Sequence, residues 1–238
     1  MVAVNEIRIR SLPSGTVGDL ISFIKLGLII SDVGTEPSAR ENFELCTGFS
    51  MSQSMASKMG ACESLFDLKE YARALNDYDY LSQDGNLSFA ETVNHRASQI
   101  TYFDEDSRDF KNAEIYFERL ENVSNSAETI FEAQLFGLRS AFYGKNYTNV
   151  PRKADTLIAN TSSTPAEHAE AYYFKGVAYI EMQNYSDAMP AFENNIRLSG
   201  DDDKSAESRY WRAYITYLDR DLDKAMDYCF KVNQETPN

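Results

Sequence analysis

Few residues in this chain are of types that do chemistry, and they lie far apart. His95 and His168 are the only two histidines among 238 residues. Catalysis by either would need carboxylates or a nucleophile converging on it in one pocket. No G-x-x-x-x-G-K-[ST] loop, no G-x-G-x-x-G turn and no H-E-x-x-H pair is present. The run Asp201-Asp202-Asp203 invites a calcium reading. An EF-hand loop opening at Asp201 needs glycine in its sixth place and glutamate in its twelfth, where Ala206 and Arg212 stand. These aspartates, like the stretch DEDSRD at 104–109, read instead as loop acids favouring the start of the next helix. Cys46, Cys62 and Cys229 are odd in number and form no C-x-x-C pair, so neither a disulfide framework nor a zinc site is expected. The sequons at Asn86, Asn122, Asn146, Asn160 and Asn184 read as helix-end capping rather than glycan acceptors. No catalytic residue, metal or cofactor is expected.

With chemistry set aside, recognition is left. The formal charge of −14 disfavours nucleic acid, whose binding relies on Lys and Arg displacing counterions. It disfavours an anionic membrane surface for the same reason. The longest apolar run, LISFIKLGLII at 20–30, is too short to span a bilayer and contains Lys25. The first fifteen residues hold Glu6 beside Arg8 and Arg10, a poor match to a signal peptide. The compartment stays open between the bacterial cell envelope, as a periplasmic protein, and the cytoplasm.

The elements that carry recognition show a period. Tyr71, Phe110, Tyr147 and Tyr185, with Leu222 in fifth place, are spaced 39, 37, 38 and 37 residues apart. Each is followed three residues on by a small or apolar residue, namely Ala74, Ala113, Val150, Ala188 and Ala225. Four further on stand Tyr78, Phe117, Ala154, Phe192 and Cys229, completing one helical face. A second helix precedes each aromatic, clearest in AEAYYFKGVAYIEMQ and AESRYWRAYITYLDR. With only 11 glycines and 6 prolines, a period in this range predicts an all-α solenoid. Pro190 is expected at about the fourth position of a second helix capped by Ser186, where the backbone N–H still lacks an intrahelical partner, with Pro151 placed similarly. Cys62, Cys229 and Cys46 fall on core positions and are expected to be buried.

Gly176, Tyr179, Ala188 and Phe192 stand at the spacings of the tetratricopeptide repeat, small-x2-aromatic followed by Ala and Phe in the next helix. The chain resembles that family. It departs in repeat length, 37 to 39 residues against about 34, and in carrying Arg209 where Tyr172 stands one unit earlier. Longer repeats of this kind are similar to those of bacterial cell-envelope proteins. The resemblance implies a right-handed superhelical solenoid of five to six antiparallel helix pairs. Residues 1–15 are expected as an extended arm and 51–238 as the repeat array. For 16–50, where Phe23, Leu26, Gly27, Ile30, Ala39 and Phe43 keep repeat spacing, the alternatives are a degenerate repeat, capping helices or the edge of a preceding domain.

In such a stack the first helices line the concave side. This places Tyr102, Leu135, Arg139, Phe142, Tyr143, Tyr173, Val177, Ile180, Tyr210, Tyr214 and Tyr217 along a groove. Inter-repeat packing accounts for any one of these tyrosines. Fifteen tyrosines against one tryptophan, gathered in first helices, suit a surface with apolar bodies and polar tips. Some tetratricopeptide domains clamp a terminal carboxylate with Lys, Arg and Asn, and here the corresponding places hold Glu132, Glu170 and Glu207. A neutral or basic peptide or protein segment is the expected partner, bound by a non-catalytic interaction scaffold. The alternative is a structural spacer or self-assembly module of a larger envelope complex, with self-association through the C-terminal repeat.

Overall fold

The computed structural model describes residues 55–83, 87–200 and 202–235. The expectations for 1–50, including Cys46 and the N-terminal repeat, lie outside them, as does Asn86. The described residues form ten α-helices and no strand. The chain divides into two compact units, Met1–Leu68 and Lys69–Asn238. In the first, α1 (Met55–Asp67) buries Met59, Cys62 and Leu65 at a three-residue spacing that follows one helix face.

The second unit holds α2 (Tyr71–Gln83), α3 (Leu87–Phe103), α4 (Phe110–Val123), α5 (Ala127–Tyr143), α6 (Val150–Ala159), α7 (Pro165–Glu181), α8 (Tyr185–Leu198), α9 (Asp203–Leu218) and α10 (Leu222–Glu235). Each helix packs on the next in sequence. Among the first helices of the hairpins, α5 also touches α7, and α7 touches α9. Contacts therefore stay between neighbouring hairpins, the one-dimensional arrangement of a solenoid.

Four of the five period-marking residues, Tyr71, Phe110, Tyr185 and Leu222, open a helix. Tyr147 does not. The turn around it is held by the carboxylate of Glu114, which accepts from the side-chain amides of Asn146 and Asn149 at 2.9 Å each. Helix α6 therefore starts late, with Pro151 in its first turn, where a missing N–H costs nothing. Lys153 is buried beside this cluster, 3.9 Å from Glu114 and 3.1 Å from Glu118.

The turns repeat as faithfully as the helices. Lys145, Gln183 and Arg220 have φ near +60°. Each is followed by a residue whose N–H reaches five residues back: Asn146 to Ala141, Asn184 to Tyr179 and Asp221 to Thr216. This is the left-handed helix stop usually given to glycine. Lys69 has the same φ.

Caps account for the acidic loops. Asp109 accepts from the N–H groups of Lys111 and Asn112 to start α4, and Asp202 accepts from Ser205 to start α9. Thr164 and Glu167 form a capping box around Pro165 at the head of α7. Asn184, not Ser186, caps α8, accepting from the N–H of Asp187. Pro190 consequently lies inside α8, two places further in than expected, and the carbonyl four residues back has no N–H to accept from it. The other sequon asparagines are also engaged: Asn122 with the Glu118 carbonyl, Asn160 with Gln134 and the N–H of Ser162.

The core is a series of seams. Phe192 is fully buried in the α7–α8–α9 seam with Ala188 and Ile215. It lies so close to α7 that a Cβ on Gly176 would come within 2.6 Å of its ring. The next seam back joins Leu138, Ala154, Leu157 and Phe174. Cys62 is buried as expected of a small core residue, but Cys229 is exposed. On α10 nothing among the described residues covers the position that Phe192 occupies on α8.

Candidate functional site

The first helices present a row of side chains that bridge from one hairpin to the next. His95 on α3 lies 3.4 Å from Glu132 on α5. Arg139 on α5 donates through Nη2 to Glu170 on α7 at 2.7 Å, and Lys204 on α9 donates to the other oxygen of Glu170 at 2.6 Å. Tyr173 on α7 donates its hydroxyl to Glu207 on α9 at 2.6 Å, and Trp211 donates to the second oxygen of Glu207 at 3.1 Å. The partners on different helices stand 31 to 37 positions apart, close to one repeat, so the repeat itself brings them together.

Each glutamate expected to make the groove acidic is thus already paired. At Glu170 two cations face one carboxylate. Burial works to raise its pKa, but the hydrogen bonds from Lys204 and Arg139, with their charges, outweigh burial and hold it below the usual carboxylate value. Tyr173 is pushed well above an ordinary phenol, by burial first and then by the Glu207 carboxylate.

The aromatic residues divide into two groups. Tyr102 packs among Phe103, Phe110, Phe117 and Phe136 in the core, and burial raises its pKa. Phe142 stacks on Phe174 with centroids 4.1 Å apart. Val177 and Ile180 pack on the Phe192 seam. Leu135 is buried and closed to a partner, because the α5 position it holds faces the α6 and α7 side chains of the core. The second group is accessible: Tyr143, Tyr210, Tyr214 and Tyr217 are exposed. The last three follow one face of α9 at i, i+4 and i+7, with the rings of Tyr210 and Tyr214 nearly parallel at 6.3 Å.

Two members of this face were not anticipated from sequence. Lys204 stands in a run of aspartates and reads as loop, yet its ammonium lies 5.0 Å over the ring of Phe174 as well as on Glu170. Phe103 ends α3 and is half exposed beside Tyr102. Lys204 was recoverable, since it lies 34 residues from Glu170, close to one repeat. The second histidine, His168, is on α7, two hairpins from His95, and its buried Nε2 has no hydrogen-bond partner among the described residues. No group of three or more His, Cys, Asp or Glu able to hold a metal occurs among the described residues, and none of their helices is long and apolar enough to cross a membrane.

Stacked helix hairpins with small-to-aromatic seams and left-handed turns define a tetratricopeptide-type solenoid, and solved structures agree. The chain is similar to MamA RS-1 in an ArsTM double mutant, with 14% identity over 78% of this chain and 96% of that one at a TM-score of 0.50. It is also similar to YrrB, a tetratricopeptide protein with an unusual peptide-binding site, with 15% identity over 78% of this chain and 88% of that one at a TM-score of 0.52. No family model and no curated protein matches the chain. This protein has the fold of a tetratricopeptide repeat protein.

Proposed function

We propose that the protein is a non-catalytic scaffold that binds a peptide or protein segment along its first-helix face. The observation that carries this is the open tyrosine column of α9, Tyr210, Tyr214 and Tyr217, set beside a polar row that is internally paired. Side chains of this kind offer apolar bodies and hydroxyl tips to a partner at low entropic cost. YrrB, which shares the fold, has a peptide-binding site, and that supports the same use here. Because Glu132, Glu170 and Glu207 are all engaged within the protein, a neutral segment suits the face better than a strongly basic one. Recognition rests on aromatic contact and on the remaining lone pairs of the row. His95 beside Glu132 is part of this row, and no catalytic role is assigned to it.

The test is a display selection of random peptides on the immobilised full chain, followed by affinity measurement with the variant Tyr210→Ala/Tyr214→Ala. Two truncated aromatic anchors should weaken selected peptides by at least about tenfold, while the melting temperature changes little because both side chains are exposed. Phe192→Ala is the contrasting control, losing roughly 3 to 5 kcal/mol of stability. If the double variant keeps every selected peptide at full affinity, the face is not the binding surface and a spacer role becomes the better reading.

A further inference from the structure

A second surface is built on the last described helix, beside the α9 tyrosines. On α8 the residues Tyr185, Ala188, Met189 and Phe192 form the side that receives α9, which lays Trp211 and Ile215 against it. One repeat later, 37 residues on, the same places on α10 hold Leu222, Ala225, Met226 and Cys229. Of these only Ala225 is buried, by its own hairpin. Leu222, Met226 and Phe230, spaced four apart on one side of the helix, are 55%, 59% and 63% exposed. Leu222 and Met226 thus continue the inter-repeat seam onto α10 and are uncovered among the described residues, and Phe230, 37 residues after the exposed Glu193, widens the apolar side.

We propose that this face is a dimerisation surface, on which a second copy of the chain lays its own α10 antiparallel across a twofold axis near Met226. Three features favour a like copy. An apolar stripe wide enough to receive a helix is itself the stripe of a helix, so one patch is buried twice in a closed pair. The C-terminal hairpin, 203–235, is almost charge-balanced, with seven acids (Asp203, Glu207, Asp219, Asp221, Asp223, Asp227, Glu235) against six bases (Lys204, Arg209, Arg212, Arg220, Lys224, Lys231). Two copies therefore meet there without the repulsion that a net charge of −14 imposes elsewhere. The orientation follows from the ends of the helix. Asp219, Asp221 and Asp223 crowd its start, whereas Lys231 lies toward its end, paired with Asp227 at 2.8 Å. A parallel pair would set three aspartates against three. The antiparallel pair sets them by the lysine end and matches Leu222 with the larger Phe230 of the second copy.

Sedimentation equilibrium of the full chain from about 1 to 100 µM, a range that resolves micromolar dissociation constants, should show a monomer–dimer equilibrium. Met226→Glu/Phe230→Glu should weaken it at least tenfold while dilute samples keep the parent's helical circular dichroism. Tyr143→Ala, on α5, should leave it unchanged. Geometry is read by disulfide trapping in a chain with Cys46→Ser and Cys229→Ser. Met226→Cys should cross-link to itself, and Leu222→Cys should cross-link to Phe230→Cys in a mixture. A chain that stays monomeric throughout overturns the proposal and leaves the face to a helix of another protein. A dimer indifferent to the glutamate variant overturns it in favour of another surface, and cross-linking of Leu222→Cys to itself overturns the antiparallel pairing.

Discussion

Gly176 has no side chain because Phe192 leaves no room for one. An added methyl would have to displace an aromatic ring that is fully buried, so Gly176→Ala should cost about 1 to 3 kcal/mol in urea unfolding. The same substitution at Gly200, which has open space around its backbone, should cost far less. Glu170 is the residue whose environment makes stability depend on pH. Its folded pKa is depressed below the usual 4.5, so at neutral pH it is ionised in folded and unfolded chains alike and its contribution is fully present. As pH falls below about 4.5 the unfolded chain takes up the proton first, and that contribution is lost. Glu170→Gln should therefore destabilise by on the order of 1 to 2 kcal/mol at pH 7. The gap between variant and parent should narrow in melts at pH 4 and below, and a gap that is constant with pH would exclude this charge as the cause.

At the scale of the element, the helix starts were legible because Tyr71, Phe110, Tyr185 and Leu222, recurring near one period, open their helices. The exception, α6, is instructive. Its start is set by Glu114 holding Asn146 and Asn149 from more than thirty residues away, and no local period carries that information. The interior place of Pro190 was missed for a smaller reason, because Asn184 and Ser186 both have capping side chains and the first prevails. Pro190→Ala restores a backbone donor to α8 and should raise stability by about 1 to 2 kcal/mol, part of the roughly 3 kcal/mol a helix loses to proline. In the turns, a left-handed residue other than glycine costs about 1 to 2 kcal/mol, against about 0.5 to 1 that glycine loses in chain entropy. Gln183→Gly and Arg220→Gly should each stabilise modestly, read as a higher urea midpoint with an unchanged slope. The candidate site was legible in part: the column of glutamates and the α9 tyrosines follow from repeat spacing. The pairing of that column by Arg139 and Tyr173 was not, because it joins different repeats and depends on how neighbouring helices align, and for Lys204 the one signal was its place 34 residues after Glu170.

For the whole molecule, contacts confined to neighbouring hairpins mean that stability is distributed as a sum over seams. Helices α5 to α8 have a packed hairpin on either side, whereas among the described residues the α9–α10 hairpin has one on a single side. Native-state hydrogen exchange should accordingly show the slowest amides in α5, α7 and α8, and the fastest helical amides toward α10. If α10 pairs with a second copy, its protection should rise with protein concentration while that of α5 does not.

The left-handed turn residues Lys145, Gln183 and Arg220 are separated by 38 and 37 positions. Every one of these turns stops its helix in the same way, with a left-handed residue and a hydrogen bond reaching five residues back, so the chain between two of them begins and ends in interchangeable geometry. A recombination event that joined one such turn to another would insert or remove a whole hairpin without changing the reading of either flanking helix. The array is in that sense written in cassettes, and its length is open to variation by unequal crossing-over. The seams between hairpins, rather than the turns, would decide which of the resulting lengths persist.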